Sequence, residues 1–400
     1  MVRWLDMIAE EKERYLKDVA KEAEKRHGIV IYGAGGYGKN LARFLQENGF
    51  KPRAFCVTEL KGNRREEYGI PIRSLKDILE ERQDDVYLIA AESPKNQAII
   101  GTLKEHGITS YIDITPHFFQ MLDIVYFRPI VEITSRVGCS MRCRYCPQDL
   151  FIKKYKSVER PMTMSFDTFK TCIDKLPKEA IIDFAGFAEP FLNPHIIDMM
   201  EYAYDKGRDL RLYTTLTGLS LKELERVLNI PFLSVVLHLP DKKHCANIPI
   251  TDEYFKMLDI CISTTKEDGQ PFVDHANAQC EPPPEILERI DGRVRVTWDV
   301  IDWAGNIDTP EVRTSEEKNG SLLCAMSANQ NHNILLPDGS LLLCCMDWGM
   351  NYVLGNLLTD SYENIMKGRT ISRVRVAMEE ENARPGNFLC KKCTSAIEVK

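Results

Sequence analysis

The chain carries thirteen cysteines in 400 residues, and seven of them fall into two groups. Cys139, Cys143 and Cys146 stand in C-x3-C-x2-C spacing within "EITSRVGCSMRCRYCPQ", directly after a β-branched run. Three thiolates this close bind a soft metal or an iron–sulfur cluster. Structural zinc asks for a fourth ligand, and none lies nearby in sequence. A four-iron cubane held by three cysteines keeps one iron open, able to chelate a small molecule and pass it an electron. The second group is Cys324, Cys344, Cys390 and Cys393, the last two in C-x2-C. Four such ligands suit a fully ligated cluster or tetrahedral zinc equally well. The others are scattered: Cys56 and Cys172 read as small buried hydrophobes, Cys345 as a packed thiol beside a ligand, and Cys245, Cys261 and Cys280 as candidate thiols for chemistry.

Composition limits what these groups can serve. The hydrophobic content of 44%, the charge content of 28% and the net charge of −7 describe an ordinary globular protein. They give no basic footprint for nucleic acid. No apolar run reaches the length of a membrane span. The first residues, "MVRWLDMIAEEKERYLKDVAKEAEKRHG", mix both charge signs and lack a signal-peptide core, so an exposed N-terminal helix over 1–27 and a cytoplasmic location are expected. In a reducing compartment clustered cysteines hold metal or do chemistry rather than form disulfides.

The elements that must position these residues follow from periodicity. "GIVIYGAGG" reads as a buried strand entering a glycine turn, followed by helix, strand, helix, strand, helix, strand. That alternation predicts a small doubly wound parallel unit over 28–118. Within it, Gly33, Gly35 and Gly38 form G-x-G-x-x-G between strand and helix, the context for a phosphate-cradling turn. Glu59 is the acidic residue closest to the expected ribose contact, with Thr58 in the other plausible position. The alternation restarts over 127–310, with strands expected at 131–136, 181–185, 210–215, 232–238 and 293–300. This predicts an incomplete α/β barrel with its active face at the C-terminal strand ends, where the three-cysteine loop falls. From 311 to 400 the pattern turns to short pieces, among them "HNILLPDGSLLLCC", a strand, an Asp-Gly turn and a strand.

The motif Cys139, Cys143, Tyr145, Cys146 resembles the signature of the radical SAM superfamily, and "FAGFAEPFLNP" resembles that family's Gly-Gly-Glu segment. The resemblance implies a partial (β/α)6 barrel and S-adenosylmethionine on the open iron of a [4Fe–4S] cluster. Reductive cleavage there yields a 5′-deoxyadenosyl radical, with an electron donor of flavodoxin or ferredoxin type. It also implies that Gly186 lets the backbone approach the cofactor and that Glu189 accepts hydrogen bonds from its ammonium group. Thr214, Ser234 and His238 are candidates for the ribose. The later cysteines, with "LGNLLTDSYENIMKG", resemble the shortened SPASM extension known as Twitch. That implies an auxiliary [4Fe–4S] cluster on Cys324, Cys344, Cys390 and Cys393, the rival being a zinc ribbon. The N-terminal segment looks like the small Rossmann-type domains of surface-sugar enzymes, and either binds a nucleotide or nucleotide-linked substrate or serves as a docking module.

The expected function is hydrogen abstraction from a carbohydrate or polyol, nucleotide- or phosphate-linked forms included, ending in oxidation or epimerisation. Cys245 is the foremost hydrogen-atom donor, with Cys261 and Cys280 behind it. Asp241, His244, Asp299 and Asp302 are the candidate bases. The alternatives are a peptide-modifying radical enzyme and a zinc-binding scaffold without catalysis.

Overall fold

The computed structural model describes residues 2–60, 65–81, 83–91, 95–114, 118, 122, 128–266, 270–298, 300–307, 309, 312, 316–327 and 329–399. The chain divides into two compact units, one built from residues up to 127 and the other from residue 128 onward.

The first unit holds six strands, β1 (Gly28–Tyr32), β2 (Ala54–Val57), β3 (Glu66–Glu67), β4 (Ile70–Ser74), β5 (Asp85–Ile89) and β6 (Tyr111–Asp113). They lie in the order β3-β4-β2-β1-β5-β6, parallel throughout except for the β3–β4 hairpin. The central strands are apolar and buried on both faces, as a covered parallel sheet requires. The order reverses between β1 and β5, and the glycine turn leads from β1 into helix α2 (Gly36–Glu47) at that switch point. Gly33 has φ +119°, and a Cβ there would meet Ala90 O at 2.8 Å; one on Gly38 would overlap Gly33 O. Both positions therefore need glycine for the turn to form.

The N-terminal helix α1 (Val2–Ala23) forms, but it is not the exposed helix that its charge suggests. Tyr15 and Val19, one turn apart, are buried in the core of the first unit. The Tyr15 ring lies 4.2 Å from that of Phe118 and 6.3 Å from that of Phe44. A narrow apolar stripe is enough to dock a charged helix.

The second unit opens with six parallel strands: β7 (Ile130–Ile133), β8 (Ile181–Phe184), β9 (Leu210–Thr214), β10 (Ser234–His238), β11 (His275–Asn277) and β12 (Arg295–Thr297). This is the partial barrel, with β11 added to the five strands read from the sequence. Helices lie between the strands, started by side-chain caps at Ser165 and Thr251 and by a capping box joining Ser220 and Glu223. Val131, Ile133, Ile182, Phe184, Leu212 and Val235 pack outward against helix residues such as Phe169 and Met199. Side chains alternate along a strand, so the other face of β7–β11 turns into the lumen.

After β13 (Ser321–Cys324) come β14 (His332–Leu335), β15 (Ser340–Leu342) and β16 (Val353–Asn356), with β17 (Ala396–Val399) last. The hairpin read from the Asp-Gly turn is present, but it is no separate piece. Strand β14 pairs parallel with β7, Ile334 opposite Glu132, and β15 and β16 extend the same nine-stranded sheet. Strands β13 and β17 form their own antiparallel pair.

Candidate functional site

Strand β7 delivers the three-cysteine loop to the C-terminal mouth of the barrel, and backbone hydrogen bonds fix it from several sides. Thr134 N–H donates to Leu335 O (2.9 Å), and Val137 N–H to Met162 O (2.8 Å). Cys139 N–H donates to the Gln148 side-chain oxygen (3.0 Å), and Trp303 Nε1–H to Tyr145 O (2.8 Å). Arg144 N–H donates to Cys245 O (2.6 Å), and Asn247 N–H to Met141 O (2.8 Å), tying the loop to the segment after β10. Tyr145 is buried beside Cys245, Ile307 and Val312.

Cys139, Cys143 and Cys146 come together here, half-buried, with burial pushing all three thiols up, Cys146 to about 12. The neighbouring sulfurs push Cys143 further. Thiols in this state ionise only with a cation between them, which is what a soft-metal donor set offers. The residues fit an iron–sulfur cluster.

The second set also converges. Cys324, Cys344, Cys390 and Cys393 line one cavity of about 40 Å³ together with His332 and Cys345. Burial raises each thiol, and the sulfurs oppose one another's ionisation. Among the described residues, one group of metal-binding side chains has its ligand atoms all within 4.8 Å, and it is Asp241, Cys245 and Cys280 rather than either cysteine set. Four thiols lining one cavity fit a soft-metal or iron–sulfur donor set.

The cofactor segment after β8 shows one expected feature and one departure. Gly186 has φ +67°, and a Cβ there would meet Thr134 Oγ1 at 2.5 Å and Thr134 N at 2.8 Å, so the backbones at the ends of β7 and β8 touch. Ser135 Oγ, Thr217 Oγ1 and Gln279 Oε1, all just past strand ends at this mouth, are buried without a hydrogen-bond partner. Orphaned polar atoms around a glycine cradle fit a polar ligand such as S-adenosylmethionine. Glu189, expected to face the ammonium group, is occupied instead. It accepts from Thr214 Oγ1 (2.6 Å), Thr215 N (2.7 Å), Thr215 Oγ1 (2.7 Å) and Phe191 N (3.3 Å). A carboxylate has about four acceptor positions, so Glu189 braces β9 against the β8 loop, and Thr214 is its partner rather than a free ribose contact.

The remaining candidates separate. Cys261, on the helix Asp252–Ser263, is fully buried in the main hydrophobic core, apart from Cys245 and Cys280. Cys56 and Cys172 are buried hydrophobes, as read. His244 is exposed, Asp302 is buried and accepts from Ala304 N (3.1 Å), and Asp299 lies outside the described residues. Asp241 is buried and sits with Cys245 and Cys280. In the first unit, Thr58 Oγ1 shares a hydrogen bond with the Tyr32 hydroxyl (3.2 Å).

Sequence reasoning passed over the lumen. Glu132, Asp183, Arg211 and Ser234 stand in register across β7–β10, all on the face away from the outer core. His332 Nε2 and Glu132 Oε1 are 2.7 Å apart, linking this row to the four-cysteine cavity. Arg211 pairs with Asp183 at 3.5 Å and donates to the Tyr213 hydroxyl at 2.7 Å. Burial drives Asp183 up to about 7 against the pull of Arg211, and its Oδ1 has no partner. His238 is driven down to about 4 by burial and by His275. A signal was present: Glu132 and Asp183 are single charges inside the apolar runs "IVEI" and "IIDF".

Residues 324–394 match the SPASM family, an iron-sulfur cluster-binding domain. That segment of the chain is a SPASM iron–sulfur cluster-binding domain, and it holds Cys324, Cys344, Cys390 and Cys393. Among solved structures, it is similar to BtrN in complex with AdoMet and 2-DOIA, at 16% identity and TM-score 0.46, over 67% of this chain and 93% of that one. It is also similar to Streptococcus suis SuiB bound to precursor peptide SuiA, at 11% identity and TM-score 0.39, over 70% and 78%. A third similar structure, anSMEcpe with bound AdoMet and Cp18Cys peptide, gives 14% identity and TM-score 0.38, over 66% and 86%. No curated protein sequence matches the chain. Among the described residues no helix is long and apolar enough to cross a membrane.

Proposed function

We propose that the chain is an enzyme that abstracts hydrogen from a carbohydrate or polyol held in the barrel lumen, ending in oxidation or inversion at the attacked carbon. S-Adenosylmethionine on a cluster held by Cys139, Cys143 and Cys146 supplies the 5′-deoxyadenosyl radical, and a cluster on Cys324, Cys344, Cys390 and Cys393 supplies a one-electron sink. The observation that carries the substrate class is the lumen row of Glu132, Asp183, Arg211, Tyr213, His238 and His275. Among these donors and acceptors, Asp183 keeps an oxygen unpaired. A ring bearing hydroxyls offers that oxygen a donor, whereas an apolar side chain would leave it buried and unpaired at a cost of about 1–3 kcal/mol. The lumen row also joins the four-cysteine cavity through the Glu132–His332 contact. Proton loss to a lumen carboxylate accompanies oxidation to a carbonyl, while a hydrogen atom returned from Cys245 gives inversion.

The Gly33, Gly35 and Gly38 turn supports a nucleotide or nucleotide-linked ligand in the first unit, since its conformation needs glycine at two of the three positions. Anaerobic turnover of the reconstituted protein with carbon-deuterated polyols, S-adenosylmethionine and a flavodoxin or ferredoxin reductant tests the main reading. Deuterium is expected in 5′-deoxyadenosine. Transfer from a peptide and from no polyol or sugar would overturn it.

A further inference from the structure

The group of ligand-type side chains drawn within 4.8 Å belongs to neither cluster. Asp241 and Cys245 come from the loop after β10, and Cys280 from the loop after β11. Asp241 Oδ1 accepts from Lys243 N, Cys245 N and Cys280 Sγ, each at 3.0 Å, and Oδ2 accepts from Ala246 N at 3.2 Å. That carboxylate is spent on backbone and thiol donors, which leaves little for a metal ion. What remains is two thiols facing each other, one of them already aimed at a proton acceptor. The pair also hangs on the three-cysteine loop, through Arg144 N–H to Cys245 O and the packing of Cys245 against Tyr145.

We propose that Cys245 and Cys280 act as a dithiol pair, in which Cys280 closes onto Cys245 once Cys245 has given up a hydrogen atom, and Asp241 receives the Cys280 proton. The inference rests on the inversion branch of the function proposed above. Hydrogen transfer from Cys245 Sγ–H to a substrate carbon radical forms the C–H bond and leaves one unpaired electron on sulfur. As Cys280 loses its proton to Asp241 Oδ1, the two sulfurs join and share the odd electron. Loss of that electron to a one-electron acceptor of the iron–sulfur class leaves a disulfide. An external dithiol, itself oxidised to a disulfide, restores both thiols by exchange. The two sulfurs already lie within 4.8 Å of each other, against a bond length of about 2.05 Å. Burial pushes the Cys245 thiol up to about 11, keeping it as the S–H that hydrogen-atom donation needs.

The test uses the holoenzyme without oxygen, in two arms. In the first, substrate is absent and the protein is equilibrated against oxidised and reduced dithiothreitol, alkylated and mapped by mass spectrometry. A reversible Cys245–Cys280 disulfide is expected, and its absence overturns the pair whatever the substrate proves to be. So does a zinc ion bound by the wild type and lost in Cys280→Ser. In the second arm, deuterated polyol is turned over without added dithiol. The expected result is one Cys245–Cys280 disulfide for each inverted product. With dithiol present, the wild type should exceed Cys280→Ser by at least about tenfold in total product, the variant stalling after its first turnover. Inverted product with both thiols still alkylatable, or a ketone in place of inversion, overturns the proposal. Failure of every polyol to transfer deuterium strikes the substrate reading instead, and the first arm still decides the pair.

Discussion

Single residues differ in how far their neighbours in sequence determine them. The C-x3-C-x2-C spacing is local, so the meeting of Cys139, Cys143 and Cys146 was legible at once. Glu189 was legible only as a carboxylate in a loop, because the donors that fill it, Thr214 and Thr215, are 25 and 26 residues away. The two roles for Glu189 predict different measurements. As a brace, its replacement by Ala strands buried donors at the end of β9, and Glu189→Gln turns an amide donor toward Thr215 N–H. We expect Glu189→Ala to lower the unfolding free energy in urea by about 2–4 kcal/mol, and Glu189→Gln by about 1–3 kcal/mol, with cluster content retained in the folded fraction. Unchanged stability with weakened S-adenosylmethionine binding would return it to the role of ammonium acceptor.

At the scale of elements, strands rich in β-branched and aliphatic residues declared themselves, and β11 did not. Its core, "HAN", is three residues with weak strand preference, and only its register between β10 and β12 makes it a strand. The charged helix α1 hid its docking stripe for a similar reason: Tyr15 and Val19 are meaningful only once Phe44 and Phe118 are in place. The crossing of β7 and β8 at Gly186 offers a test at this scale. A methyl group there collides with Thr134 Oγ1 and also with the backbone of Thr134 and Ile133, which has no rotamer by which to yield, and the φ of +67° is itself unfavourable. Gly186→Ala should therefore separate the two strand ends, weakening S-adenosylmethionine binding at least about tenfold and lowering the unfolding midpoint. Equilibrium dialysis with the reconstituted protein, beside thermal unfolding, measures both. Wild-type affinity in the variant would show that the cradle does not hold the cofactor.

For the second unit as a whole, the lesson lies in β14. The sequence marks a hairpin around Asp338-Gly339, yet nothing local says that its first strand will pair with β7, and the Glu132–His332 contact joins residues 200 positions apart. Long-range pairing of this kind makes the auxiliary segment part of the barrel's own sheet. Leu335, Leu341, Leu354 and Leu357 share one core with Val131, Ile182 and Leu212. Removing them takes away several buried leucines, each worth about 2–5 kcal/mol, against a typical total stability of about 5–15 kcal/mol. It also bares the edge of β7, an apolar strand that would then pair with other chains. A chain cut after Gly320 is thus expected to lose the cooperative unfolding of this unit and to aggregate, not merely to lose its second cluster. Replacing Cys324, Cys344, Cys390 and Cys393 by Ser in the full chain should instead leave a soluble protein with its three-cysteine cluster intact. Circular dichroism, iron and sulfide content and size-exclusion profiles of the two variants make the comparison. A truncated chain that stays monomeric and unfolds cooperatively would show that β7 needs no partner on that edge, and that the auxiliary segment is an appendage after all.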